Sequence, residues 1–385
     1  MYTLSSPGPT LGVVGGGQLG RMMAEAAAPL GVELLVLDPT PDCPAAPVAR
    51  DQIVADFDDP EAIRELVKRS DALTFEIELA DPDVLESAGE ERDVPVEPSP
   101  DTLRTIQDKL VQKRALVDAG IAVPEFRAVS DAEDLRDALS ELGGEAMVKA
   151  RRGGYDGRGN APIDDPADAE ATLEEIGGEA MVEEMIEFDR ELSVIGVKGE
   201  GEIATYVVGE NVHEEEILRE TVVPARTDEA IRERAQSVAR DVLSLMDGRG
   251  TYGIELFEWD GEILVNEIAP RPHNSGHWTI EGADSSQFEQ HVRAVLGLPL
   301  GSTALRDPVV SKNLLGDEQR AREARLSGGE QLLAEPSVHL HWYGKREVRP
   351  LRKMGHFTVL GEENDSLDEL LESARTYRRY VEFEA

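Results

Sequence analysis

The sequence predicts an α/β unit followed by α+β units, and three observations carry that expectation. Short apolar runs alternate with helical patterns up to Ala119, a glycine-rich turn joins the first such run to the first helix, and beyond Pro124 the strands become shorter and alternate in polarity. Leu11 to Val14 reads as a first buried strand, Gly15 to Gly20 as the turn, Arg21 to Leu30 as a helix and Val32 to Leu37 as a second strand ending at Asp38. Ile53-Val54, a helix from Pro60 to Lys68 and a strand from Ala72 to Phe75 continue a doubly wound parallel sheet. One long helix is expected from Pro100 to Ala119, stopped by Gly120 and Pro124. Strands follow at Ala146 to Lys149 and Ala180 to Glu184, flanking a helix near Ala167 to Ile176. Alternating segments at Glu191 to Val197 and Ile203 to Val208 point to an antiparallel sheet. A helix at Asp228 to Leu245 leads into a hairpin, Tyr252 to Trp259 and Glu262 to Ile268, turning at Asp260-Gly261. The remainder, from about Pro308, is mixed and ends in a helix at Ser366 to Tyr380.

At 385 residues the chain is long enough for two or three domains. It has no apolar run of membrane-spanning length and no signal-peptide pattern at Met1 to Thr10, so a cytoplasmic protein is expected. The single Cys43 excludes an internal disulfide and a cysteine-rich metal site. With 39 Lys and Arg against 78 Asp and Glu, the formal charge is −39, which repels nucleic acid and anionic membranes. The carboxylates are spread along the whole chain, the pattern of a folded protein in a salt-adapted cytoplasm rather than of a disordered acidic tail.

Against that background four features stand out. Gly15-x-Gly17-x-x-Gly20 opens a helix after a strand, and Asp38 closes the next strand. Free N–H groups there can receive an anion, from a nicotinamide dinucleotide, another phosphate ligand, or nothing beyond tight packing. Lys149, Arg151, Arg152 and Arg158 crowd a loop containing Gly153, Gly154, Gly157 and Gly159, a pattern suited to a lid over a polyphosphate and otherwise to an ordinary surface loop. Glu255 and Glu267 each lie among apolar strand residues. A two-residue turn pairs Glu255 with Asn266 and sends Glu267 to the other face. A three-residue loop, Trp259 to Gly261, pairs Glu255 with Val265 and sets both carboxylates on one face about 7–8 Å apart, suited to Mg²⁺. Finally, Asn266 to Trp278 and His339 to His356 are polar segments, the second with five Lys and Arg between Lys345 and Lys353, which fits a small phosphorylated ligand. His291, within a helical pattern, reads as structural.

Gly15-Gly16-Gly17-Gln18-Leu19-Gly20-Arg21-Met22, Asp108-Lys109 to Arg114, Gly153-Gly154-Tyr155-Asp156-Gly157-Arg158-Gly159, Glu183 to Glu191, Asn266 to Trp278 with its Pro272-x-Asn274-Ser275-Gly276-His277-Trp278 phrase, and His341 to His356 span nearly the whole chain. In that order they resemble the N5-carboxyaminoimidazole ribonucleotide synthetases of the ATP-grasp superfamily. The resemblance implies an ATP-grasp fold with an N-terminal Rossmann-like (preATP-grasp) domain over residues 1–112, a lid domain over 113–190, a central domain over 191–306 and a small C-terminal mixed domain over 307–385. It implies an ATP-dependent carbon-nitrogen ligase that carboxylates 5-aminoimidazole ribonucleotide with bicarbonate in purine biosynthesis, and no NAD at the glycine turn. ATP would contact Lys109, Lys149, Gly154 to Asn160, Glu183, Glu184, Met185, Ile186, Glu191, His213, Asn266 and Glu267. Glu255 and Glu267 would bind Mg²⁺. Lys149, Tyr155, Asp156, Arg158, Arg271 and His273 would serve the chemistry, with Asp156 or His273 accepting the proton. Gln18, Leu19, Glu76, Asn274, Ser275, Lys345 and Arg352 would hold the imidazole nucleotide. The resemblance also implies a homodimer and a mutase that takes the product. Lys109, Leu79 and Leu351 depart from its pattern, the last standing where glycine is expected before Arg352. A formate-dependent glycinamide ribonucleotide transformylase is the nearest alternative, and an NAD-dependent oxidoreductase the alternative from another class.

Overall fold

A computed structural model describes residues 5–153, 159–317, 320–362 and 365–384. The first sheet is parallel throughout, with strands Asp51–Ile53, Glu33–Leu37, Thr10–Val14 and Ala72–Phe75 side by side in that order. Thr10–Val14 is buried along its whole length because helices cover both faces, which is why it reads as a continuous apolar run. Helix Gln18–Ala27 packs one face through Met22 and Met23, and helix Pro60–Lys68 the other through Ile63 and Leu66. Asp59 caps the latter, with Pro60 preset at its first position. A further helix, Pro82–Glu90, absent from the sequence reading, repeats the same Asp-Pro start at Asp81.

The single helix expected from Pro100 to Ala119 is two, Pro100–Gln107 and Lys109–Asp118. Asp108 breaks it with extended backbone (φ −110°, ψ 103°) and caps the second helix, its carboxylate accepting from the Leu110 and Val111 amides at 3.1 and 3.3 Å. The same carboxylate accepts from Arg151 Nε and Nη2 at 3.0 and 2.5 Å, tying the helix start to the root of the glycine-rich loop.

A four-stranded antiparallel sheet follows, ordered Phe126–Val129, Ala180–Glu184, Ala146–Ala150, Asn160–Ile163. Helices Ala132–Glu141 and Ala169–Ile176 close its apolar core. The largest sheet has nine strands, with hairpin Gly250–Trp259 and Glu262–Ala269 at one end and Val338–Trp342 at the other. It does not stop near residue 306, because Val309–Leu315 pairs with Ile217–Val223 in the register Val222 to Val310. No helix among the described residues is long and apolar enough to cross a membrane.

His291, on helix Gln287–Val295, joins the first sheet to the largest one. Its Nδ1 accepts from the Thr251 amide at 3.0 Å, so Nε2 carries the proton and donates to Thr74 Oγ1 at 2.8 Å. Burial pushes this imidazole down to about 3. It therefore stays neutral in the fold while the unfolded chain takes up a proton below about pH 6.5, so its contribution is intact above that pH and is lost as pH falls. Between pH 7 and 5, His291→Gln should lose up to roughly 2 kcal/mol less unfolding free energy than the parent protein. Opening free energies from amide exchange of strand Gly250–Trp259 at the two pH values test this, and an equal pH dependence would refute it.

Candidate active site

The hairpin settles the placement of the two glutamates by a route the sequence reading did not foresee. The turn has two residues, Asp260 and Gly261, with φ of 47° and 75°, so Trp259 pairs with Glu262. A β-bulge between Glu255 and Leu256 then corrects the register, setting Leu256 opposite Val265 and Glu255 directly opposite Glu267. Asn266 is the extra residue. The three-residue loop is thus wrong and the shared face right: Glu255, Asn266 and Glu267 stand together because of the bulge.

Across from them lies a group of amines. Lys109 Nζ is 2.8 Å from Glu267 Oε1, and Lys149 Nζ is 3.4 Å from Asn266 Oδ1 and also meets one oxygen of Glu183. The other Glu183 oxygen pairs at 2.7 Å with Lys113 Nζ, which also donates to the Val265 carbonyl at 3.0 Å. One cleft is lined by all of these together with Gln112 and Asn160. Burial opposes the charge on Glu183, but Lys149 and Lys113 hold it at about 2. Glu267 behaves alike, held at about 2 by Lys109 against desolvation. Glu255 goes the other way, pushed up to about 7 by burial, which outweighs the attraction of His213 and is reinforced by the charge of Glu267. Lys113 is drawn down to about 8 by burial, partly offset by Glu183.

No cluster of three or more His, Cys, Asp and Glu side chains that could cage a metal occurs among the described residues. Two adjacent carboxylates with an amide oxygen nonetheless fit Mg²⁺, which keeps water and phosphate oxygens in its shell and rarely takes a full protein cage.

The loop from Arg271 to Trp278 is held from below by Gln287, whose amide donates to the His273 carbonyl at 2.7 Å and accepts from its N–H at 2.8 Å. His273 Nδ1 lies 2.8 Å from Ser275 Oγ, and Nε2 lies 3.8 Å from Glu255 Oε1. Gly253 makes room for this ring, since a Cβ there would meet His273 Cβ at 2.3 Å. Arg271 pairs with Glu78 at 2.8 Å, reaching over from the first domain. Asn274 is buried with both side-chain polar atoms unpartnered, as a residue shaped for a ligand would be.

The other expected site residues divide. His213 and Glu191 form an ion pair on adjoining strands, and although burial opposes it, the Glu191 contact raises the imidazole above its ordinary value. Glu183 and Glu184 end their strand, and Met185 and Ile186 follow it directly. Lys345 donates to the Lys353 carbonyl at 2.6 Å, and Arg352 to that of Glu347 at 2.8 Å. Leu351, where glycine was expected, sits at φ 59°, the region glycine favours. Gln18 starts its helix, whereas the Leu19 side chain belongs to the core. Glu76 is buried, and its carboxylate accepts from the Gly17 and Gly20 amides. Burial pushes it up to about 7 against those two bonds. Gly154, Tyr155, Asp156, Gly157 and Arg158 lie outside the described residues. Sequence reasoning missed Lys113, Glu78 and Gln287. The only available signal was a lysine facing inward on a helix beside the Asp108-Lys109 motif.

Family models match in three consecutive pieces: a ribonucleotide synthetase preATP-grasp domain over residues 9–107, an ATP-grasp domain over 114–288 and a phosphoribosylaminoimidazole carboxylase C-terminal domain over 310–370. N5-carboxyaminoimidazole ribonucleotide synthase from Brucella melitensis is 42% identical over 361 residues, covering 92% of this chain and 97% of that protein. The crystal structure of the synthetase from Thermotoga maritima is 43% identical with a TM-score of 0.87, covering 98% and 99% of the two chains. The synthase from Aspergillus clavatus in complex with ADP and 5-aminoimidazole ribonucleotide is 34% identical with a TM-score of 0.88, covering 97% and 100%. Paired glutamates, facing lysines and end-to-end similarity together place this chain in the N5-carboxyaminoimidazole ribonucleotide synthase family of ATP-grasp ligases.

Proposed function

We propose that this chain uses ATP and bicarbonate to carboxylate the exocyclic amine of 5-aminoimidazole ribonucleotide, giving N5-carboxyaminoimidazole ribonucleotide. The observation that carries the reading is that Glu267, paired across the hairpin with Glu255 on one sheet face, lines one cleft with Lys109 and Lys149. Bicarbonate oxygen attacks the γ-phosphorus, the bond to ADP breaks, and carboxyphosphate results. The amine then captures the carboxyl carbon of carboxyphosphate, or of CO₂ released from it. Phosphate departs, and the amine proton passes to His273 or Asp156. Glu255 and Glu267, with Asn266 beside them, would hold Mg²⁺, which would supply charge neutralisation to the phosphates. Lys149 and Arg271 stabilise the charge that develops on the transferring group. Glu78 aims Arg271, while Gln287 and Ser275 orient His273.

Within this reading, Gly154 to Asn160 close over the phosphates, Glu183 to Ile186 run along the base, and Glu191 with His213 meets the ribose. Gln18, Leu19, Glu76, Asn274, Ser275, Lys345 and Arg352 receive the imidazole nucleotide, with residues 1–112, 113–190, 191–306 and 307–385 as the working units. A cytoplasmic homodimer that passes its product to a mutase completes the proposal, and the charge of −39 is read as adaptation to concentrated salt. The test is phosphate release from ATP and bicarbonate with Mg²⁺. Addition of 5-aminoimidazole ribonucleotide should stimulate it, and formate with glycinamide ribonucleotide should not. Stimulation by the second pair alone would overturn the assignment.

A further inference from the structure

Lys113 is the most buried amine of the cleft, with 2% of its surface exposed, yet no substrate contact is needed to explain it. It lies on helix Lys109–Asp118 and is anchored at both ends of its reach, by the Val265 carbonyl at 3.0 Å and by Glu183 Oε1 at 2.7 Å. Glu183 is itself 2% exposed, and its second oxygen meets Lys149. Two ammonium groups thus share one carboxylate, leaving a single positive charge over. Of the two, Lys149 is the more open, with 14% of its side chain exposed against 3% for Lys113. Lys149 also reaches toward Asn266 and the metal-side carboxylates.

We infer that Lys113 is a positioning residue for phosphoryl transfer. By occupying half of the Glu183 carboxylate it prevents that carboxylate from neutralising Lys149, and so keeps the surplus positive charge directed at the nucleotide phosphates. A lone Glu183–Lys149 pair would be closed and nearly neutral in this dry corner, where a paired charge is worth far less to a third group than an unshared one. The inference rests on the reading that ATP phosphates occupy this cleft.

The test uses Lys113→Met and Lys113→Arg in the phosphate-release assay, with ATP and 5-aminoimidazole ribonucleotide titrated separately. K113M should lower kcat/KM for ATP by about tenfold or more and leave KM for the imidazole nucleotide nearly unchanged. K113R, which keeps a cation on that oxygen of Glu183, should recover most of that loss. An unaffected K113M, an equal loss for both substrates, or a K113R no better than K113M overturns the inference. Should K113M fail to fold, Lys113→Gln takes its place in the same comparisons, with the same outcomes deciding. Absence of substrate-stimulated phosphate release in the parent enzyme would instead sink the functional reading, so the two failures are distinct.

Discussion

Glu267→Gln should reduce kcat/KM for carboxylation by about a thousandfold, because in the proposed function Glu267 and Glu255 are the two carboxylates that would hold Mg²⁺, whose charge neutralisation contributes several kcal/mol to the transition state. Gln keeps the shape and one acceptor oxygen, so folding should survive and the loss should appear in turnover and in Mg²⁺ dependence. Lys109 sharpens the expectation. It pairs with the same carboxylate at 2.8 Å, so on the proposed function the amine and the metal would compete for Glu267. Titrating Mg²⁺ at fixed ATP separates the effects: E267Q should require much more metal and still fall short at saturation. Activity within tenfold of the parent at ordinary Mg²⁺ would remove Glu267 from the metal site.

The second large effect is expected at Asp108. This carboxylate is 1% exposed and does two jobs, capping helix Lys109–Asp118 and receiving two bonds from Arg151. Asp108→Ala loses the cap, worth about 1 kcal/mol, and charge-assisted bonds worth about 1.5–3 kcal/mol, so about 3 kcal/mol in all. Since a chain of several domains need not unfold in one step, the readout is amide exchange. Amides of residues 109–118 should exchange faster by about two orders of magnitude. KM for ATP should rise with it, because the Lys109 amide donates to the Arg151 carbonyl at 2.9 Å and both Lys109 and Lys113 lie on this helix. Asp108→Asn, which keeps a cap acceptor without the charge, should lie between. If exchange in the helix is unchanged by D108A, Asp108 does not organise it.

What was legible in the sequence was local. Continuous apolar strands announced the parallel sheet, Asp260-Gly261 announced its hairpin, and the Pro-Gly-rich segment after Glu267 announced a loop that brings His273 within 3.8 Å of Glu255. What was not legible depends on partners far along the chain. Asp108 sits in a good helical pattern, and the residue that makes it a breaker, Arg151, is 43 positions away. Strands Gly209–Glu214 and Ile217–Val223 were missed because their turn is Glu215-Glu216, both at positive φ, where Asn-Gly or Asp-Gly is the usual signal. The bulge at Asn266 defeated a count by twos, since one extra residue shifts the face of everything after it. Lys113 has an apolar side chain's address and a charged head, and only three-dimensional neighbours reveal why it is tolerated there.

The position of Glu76 carries a consequence for how this scaffold could be repurposed. A nucleotide pyrophosphate arriving at Gly15 to Gly20 would find an acid already seated on the amides of Gly17 and Gly20. Like charges would repel, and the guest would have to evict a buried side chain before gaining a single bond. The dinucleotide signature is therefore stoppered from within, and any attempt to breed a dehydrogenase from this ligase would have to begin by pulling that cork.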